Sequence, residues 1–161
     1  SRPDPRIPVR ARGVIGPAGL AAAIAASGWE RLLADLVRTP SHPGIEHQEE
    51  RVAESLAAWL GSRGIEVALD EAAPGRPNVI ARIRGREPGP SLVFCGHTDT
   101  VPLNAGEPGA GFSGEIRDGR LWGRGACDMK GALAAMAAAL AAMSSTGALG
   151  TGEVVLAAVV D

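Results

Sequence analysis

Apolar positions change their spacing several times along the chain, and each change predicts an element. WERLLADLV, from Trp29 to Val37, spaces its apolar residues as one face of a helix. Thr39-Pro40-Ser41 stops it, because proline disfavours helical backbone at the residue before it. In GIEHQEERVAESLAAWLGSRG, Val52, Leu56, Trp59 and Leu60 share a face while Glu49, Glu50, Arg51 and Glu54 lie mostly elsewhere. This predicts a surface helix with a core face, ended by Gly61 or Gly64. The period then becomes two: IEVALD at 65–70 and NVIARI at 78–83 alternate apolar and polar residues, as half-buried strands do. SLVFC at 91–95 loses the alternation, which predicts a short strand covered on both faces. The Gly- and Pro-rich stretch 102–114 reads as a loop, and EIRDGRLWGRG as a hairpin turning at Asp118-Gly119. KGALAAMAAALAAM at 130–143 is a strong helix by propensity, and EVVLAAVV at 153–160 is a second buried strand. No internal repeat is present, and helices mixed with strands predict the α/β class.

Composition narrows the function classes. With 161 residues, a net charge of −2, 45% hydrophobic and 3% aromatic residues, the chain reads as one soluble domain with a real core. Its charge balance points away from nucleic acid, and nothing approaches membrane-spanning length, so no membrane partner is expected. Lys130 is the only lysine. Arg2, Arg6, Arg10 and Arg12 form a loose group that can also be a targeting region, and VIGPAGLAAAIAAS after it loosely resembles a signal peptide. Pro17 and Gly19 interrupt that run, so an Ala-rich first helix is the preferred reading. Residues 1–28 are taken as an N-terminal extension and 29–161 as the folded part. Cys95 and Cys127 form neither a disulfide framework nor a CxxC pair, which points to a reduced, cytoplasmic setting.

Two segments carry chemistry. In CGHTDTVP, His97 and Asp99 lie just past the carboxyl end of a predicted strand, where α/β proteins place functional groups. An imidazole there can ligate a metal through one nitrogen while a carboxylate orients the other, and Asp99 is near enough in sequence to be that carboxylate or a ligand itself. The pair fits a hydrogen-bonded turn as well. In DGRLWGRGACDMKGALAAM, Asp128 stands between a Gly-rich turn and a helix, where it is a ligand or an N-cap. Neither nucleotide motif fits, because position 128 is Asp where GxGxxG needs Gly, and no GK[ST] occurs.

Taken together, GHTDTVP, Phe112 and DGRLWGRGACDMKG resemble the zinc-dependent family of aminoacylases, acetylornithine deacetylases, succinyl-diaminopimelate desuccinylases and glutamate carboxypeptidases. LLADLVRTPSH, EERVAESLAAWLGSRGIEV and GRPNVIARIRG extend the resemblance over about Trp29 to Asp161. It implies part of a three-layer sandwich with a mixed, largely parallel sheet flanked by helices. It implies a binuclear amidohydrolase acting on N-acyl amino acids or small peptides, with two zinc ions, or cobalt or manganese in their place. His97 would ligate one metal, Asp128 would bridge two, Asp99 would be the catalytic-site aspartate orienting His97, and the peptide after Asp128 would be cis. Asp161 would open an Asp-Glu-Glu run whose first Glu is the general base. The base, the later ligands and a small domain that makes the protein a homodimer would then lie past this segment, which by itself would be inactive. The alternative is a noncatalytic α/β module that kept the fold and lost the chemistry.

The remaining candidates have plainer readings. NAGEPGAGF, at 104–112, departs from the family, whose members often carry Trp and Asp-Pro before the Phe. His42 and His47 read as surface residues, Cys95 as a buried strand residue, Cys127 as a small loop residue, Trp122 as core, and Lys130 as a contact of the acidic site or, the preferred reading, a helix opener. Arg124 can meet a substrate carboxylate or simply lie at the surface.

Overall fold

A computed structural model describes residues 15–104, 106 and 111–160. Expectations resting on Arg2, Arg6, Arg10, Arg12 and Asp161, and much of those for 104–112, lie outside the described residues. The Ala-rich segment is helix α1, Pro17–Ala25, with proline in its first turn, where the missing N–H costs nothing. It lies against α4 (Gly131–Thr146).

Helix α2, Trp29–Arg38, buries Leu32, Leu33, Ala34, Leu36 and Val37 and stops at Thr39, whose N–H returns to the Leu36 carbonyl at 3.2 Å. Helix α3, Glu50–Gly61, buries Val52, Ala53, Leu56 and Leu60. Trp59 is half-buried, with the Arg63 guanidinium 3.5 Å above its ring. Both glycines proposed to end α3 take part: Gly61 is its last residue, and Gly64 turns the chain away with φ 72°.

The strands of the main sheet are β1 (Glu66–Ala73), β2 (Arg76–Arg84), β3 (Glu87–His97) and β6 (Thr151–Val159), in the order β1-β2-β6-β3. The sheet is mixed as expected, but its parallel part is the single pair β3–β6. The physical reason is connection length. A tight turn at Gly75 (φ 71°) joins β1 to β2, which forces antiparallel pairing, whereas α4 lies between β3 and β6 and permits a parallel one. β6 also runs antiparallel to β2.

Register decides which face is apolar. Val79, Ala81 and Ile83 oppose Ala158, Leu156 and Val154, and all six join Leu36, Leu56, Leu60, Leu133 and Leu140 in one core. α3 and α4 cover this face, and α2 packs on both helices. Among the described residues no helix covers the other face, so two layers of the expected three are seen. The expectation that 91–95 is covered on both faces is corrected: Leu92 is 52% and Val93 57% exposed, and Cys95 is exposed rather than buried. Among the described residues β3 has a neighbour, β6, on one side only, a position that an apolar run does not reveal.

With the turn before it, α4 forms a helical stretch of 21 residues, Ala126–Thr146, that contains an 18-residue window of mean hydropathy 1.3, long enough by length and composition to cross a membrane. This corrects the expectation from length. Leu133, Ala137 and Leu140 are fully buried against the sheet, so it is the core helix. A small hairpin, β4 (Glu115–Arg117) and β5 (Arg120–Trp122), turns at Asp118 (φ 53°) and Gly119 (φ 70°), as the Asp-Gly pair predicts.

Candidate metal centre

The parallel register brings His97 level with Val159, at the carboxyl ends of both β3 and β6, the place where open α/β sheets bind ligands. Beyond it the chain stays anchored to β6, because Thr98 N–H and Oγ1 both donate to the Val159 carbonyl, at 2.8 and 3.1 Å. Gly96 sets the depth of the helix behind: a Cβ there would lie 2.7 Å from Met129 Cε and 3.1 Å from Leu133 Cδ2. Met129 uses that space, its sulfur 3.3 Å from the His97 backbone nitrogen, which donates to it.

The His97 ring is held at both nitrogens. Nδ1 lies 3.1 Å from the Asp99 carbonyl oxygen, with which it is hydrogen-bonded, and also 3.1 Å from Asp99 Oδ1. That carboxylate oxygen is buried without a hydrogen-bond partner of its own, so the contact is charge proximity rather than an aligned bond. Nε2 lies 2.9 Å from Asp128 Oδ1. Burial is the largest single influence on the imidazole and pulls its pKa down. The hydrogen bond to Asp128, the charges of both aspartates and the Asp99 carbonyl together outweigh it, leaving the pKa raised.

Asp128 reaches this point from an irregular turn, Ala126–Lys130. Its own backbone is extended (φ −124°, ψ 97°), the Asp128–Met129 peptide is cis, and the cap of α4 is Lys130. The N-cap alternative for Asp128 therefore fails, and its carboxylate stands 87% exposed. Gly123 and Gly125 permit the turn. A Cβ on Gly123 (φ +149°) would meet Val37 Cγ1 at 2.3 Å, and one on Gly125 (φ +81°) would meet Thr100 Cγ2 at 2.7 Å.

His97, Asp99 and Asp128 share a cavity of about 820 Å³ with Thr100, Arg120, Trp122 and Arg124, a volume suited to a small molecule. His47 is exposed between Glu46 and Glu50, and His42 stacks on Phe112 with centroids 5.9 Å apart, so neither joins this cavity. Trp122 is 48% exposed on the short hairpin, with Arg117 5.3 Å from its ring, which corrects the core reading. Lys130 caps α4 as expected, but its side chain is fully buried. Burial pushes its pKa down to about 8, against the pull of Asp99. Ser41, Thr98 and Thr100 are also buried around the site, and only the helix-stopping role of Thr39-Pro40-Ser41 is visible in sequence.

An imidazole nitrogen facing a carboxylate oxygen, with a second carboxylate behind the ring, is a donor set that zinc and similar divalent ions accept. Among the described residues no three His, Cys, Asp or Glu side chains gather in metal-binding geometry. His97 and Asp128 fit part of a coordination shell.

Residues 93–161 match the model of the peptidase family M20/M25/M40. Over 126 residues the chain is 40% identical to a succinyl-diaminopimelate desuccinylase of Gluconacetobacter diazotrophicus, covering 78% of this chain and 32% of that protein. A desuccinylase of Methylobacterium radiotolerans is 39% identical over 127 residues, 73% of this chain and 30% of that one. The chain thus spans about a third of the length of these relatives. Among solved structures, an M20 family metallo-carboxypeptidase from Sulfolobus solfataricus superposes with a TM-score of 0.67 at 26% identity, over 78% of this chain and 29% of that one. A Bacillus subtilis protein described as a dinuclear metal binding peptidase from the M20 family has a TM-score of 0.57 at 22% identity, over 83% and 35%, and shows the shared fold.

Proposed function

We propose that the chain is a member of the peptidase family M20/M25/M40, whose model residues 93–161 match, and that it is the N-terminal part of the catalytic domain of a metal-dependent amidohydrolase. The observation that carries this reading is the His97 ring, held by Asp99 on one side and facing Asp128 across 2.9 Å on the other, inside a cavity of ligand size. Residues 29–161 are the catalytic portion in this proposal, and 1–28 an extension.

Asp99 orients the ring. In the metal-free chain Nε2 donates to Asp128; with a metal bound, the Asp99 carbonyl and carboxylate would keep the imidazole proton on Nδ1 and so leave Nε2 free as a ligand. His97 would ligate one metal ion through Nε2, and Asp128, exposed to the cavity, would be the bridging ligand. The donors suit zinc, with cobalt or manganese as alternatives. When bound, such ions supply Lewis acidity, polarising an amide carbonyl and acidifying water. Arg120 and Arg124 line the same cavity and suit a substrate carboxylate. The substrate class is an N-acyl amino acid or small peptide, and the relatives' names favour a succinylated amine among these. Homodimerisation through a separate domain and operation in the cytoplasm complete the proposal, and the free Cys95 and Cys127 suit a reducing compartment.

The test is hydrolysis of a panel of N-acyl amino acids and dipeptides by the encoded protein, before and after chelation, with His97→Ala beside it. The expected result is hydrolysis lost on chelation, restored by zinc, and reduced at least about a hundredfold in the variant. Hydrolysis indifferent to both treatments rejects the assignment, and a folded protein that binds no metal supports the noncatalytic module instead.

A further inference from the structure

The largest fully buried side chain among the described residues is charged: Lys130. Its ammonium donates to the Leu36 carbonyl at 2.9 Å and to the Thr39 carbonyl at 2.7 Å, in the last turn of α2 and at the residue that ends it. Free carbonyls at a helix C-terminus carry partial negative charge, so a cation suits this place. Yet burying an ammonium is costly, and an apolar side chain of similar length avoids that cost.

The strap that Lys130 holds leads straight to the site. Ser41, buried two residues past Thr39, grips the loop beyond His97 at two points. Its Oγ donates to the Thr98 carbonyl at 2.8 Å, and its own carbonyl accepts from the Thr100 N–H at 2.9 Å. Asp99 lies between those two points. At its other end, Lys130 is two residues after Asp128, and its backbone N–H donates to the Gly125 carbonyl at 2.9 Å. Gly125 closes the circuit, since a Cβ there would lie 2.7 Å from Thr100 Cγ2 and 3.2 Å from Lys130 Cδ.

We propose that Lys130 is a positioning residue of the His97–Asp128 site: it fixes the Thr39–Ser41 strap, and through Ser41 the Thr98–Thr100 segment, so that the loops bearing the two donors meet at one separation. Lys130 acts through backbone carbonyls. Its consequence for metal affinity rests on the metal-centre reading above, whereas its consequence for the His97 hydrogen bond does not.

The experiment uses the 161-residue chain with Lys130→Met, Ser41→Ala, the double variant and Asp128→Asn, all checked for folding by circular dichroism. One readout is the His97 imidazole nitrogen resonances of the metal-free protein, which report the bond to Asp128. The other is zinc affinity by competition with a chromophoric chelator. Lys130→Met and Ser41→Ala are each expected to move the His97 resonances toward those of Asp128→Asn and to weaken zinc binding about tenfold. The double variant should lose less than the product of the two, because both act through one strap. A folded Lys130→Met with unaltered resonances and zinc affinity overturns the proposal. Should that variant fail to fold, Ser41→Ala, which loses one hydroxyl, decides alone by the same criterion. If the unaltered chain binds no zinc, the affinity readout is void, the metal reading is left to the hydrolysis and chelation test above, and the His97 resonances alone decide the positioning role.

Discussion

Nε2 of His97 and Oδ1 of Asp128 lie 2.9 Å apart although thirty-one positions separate them in the chain. One comes from the end of a strand and the other from an irregular turn before the core helix, so the meeting is a product of tertiary structure. A pair formed for metal binding loses affinity from either side. His97→Ala and Asp128→Ala are each expected to weaken zinc binding at least about tenfold, on the order of the effect of removing a supporting residue or more. Titration calorimetry of the folded variants checks this, and wild-type affinity in either removes that residue from the site.

The same pair predicts a pH dependence in the metal-free protein. The His97 pKa is raised because Asp128 and Asp99 outweigh the effect of burial, above the ordinary imidazole value of about 6.5. A pKa raised on folding means that the folded state holds the proton more tightly. The resulting stabilisation is fully present below about 6.5 and is lost as pH rises through the folded-state value. Asp128→Asn removes one charge, so the His97 titration followed by NMR should move to lower pH and the pH dependence of the melting temperature should shrink. A titration unchanged by the substitution contradicts the geometry.

Much of this is legible in the sequence for identifiable reasons. Helices α2 and α3, the two-residue turn at Asp118-Gly119 and the alternation in β2 follow from local periodicity and turn chemistry, whereas β1, read as half-buried, is mostly exposed and leaves Leu69 48% exposed. His97, Asp99 and Asp128 stand out because a Gly-bounded His-x-Asp and a Gly-rich turn before a helix are short patterns with chemical content. Pattern does not reveal where a strand sits in its sheet, hence the exposed Leu92, Val93 and Cys95. It also gives no sign that two charged residues, Glu49 and Lys130, are fully buried, because each finds its partner on a distant element.

Glu49 is the clearest such case. Without exposed surface, it accepts two hydrogen bonds of 2.8 Å from the Nε and Nη2 of Arg76, tying the start of α3 to the start of β2. Removing one partner of a buried pair leaves an uncompensated charge, at a cost of about 3 to 5 kcal/mol. Arg76 is 29% exposed and can recover some solvent, so Glu49→Ala should lie near the lower end. Urea denaturation measures it, and a loss below about 1 kcal/mol places the pair with ordinary surface ion pairs.

Gly125 offers a second stability test, closer to the site. Its φ of +81° is unfavourable for any L side chain, and the Cβ of alanine would meet Thr100 at 2.7 Å. Both effects act in one direction, so Gly125→Ala should destabilise the fold by about 1 to 3 kcal/mol. Gly75→Ala shares the backbone strain (φ +71°) but meets nothing within 4 Å, and should cost less. Equal losses for the two variants in urea denaturation show that the contact with Thr100 adds nothing.

The last prediction concerns what this chain can hold by itself. A structural zinc site takes about four protein ligands and a catalytic one about three, whereas His97 and Asp128 are a pair, and no third His, Cys, Asp or Glu joins them among the described residues. A bridging carboxylate also has no fixed second ion to bridge until further donors arrive. The purified 161-residue chain should therefore bind no more than one zinc ion, with an affinity sensitive to both His97→Ala and Asp128→Ala, and should hydrolyse no N-acyl amino acid. Equilibrium dialysis with metal analysis gives the stoichiometry, and an assay for released amine gives the activity. Two tightly bound ions, or turnover by this segment, show that its own residues complete the centre and that the division of labour proposed for the longer protein is wrong.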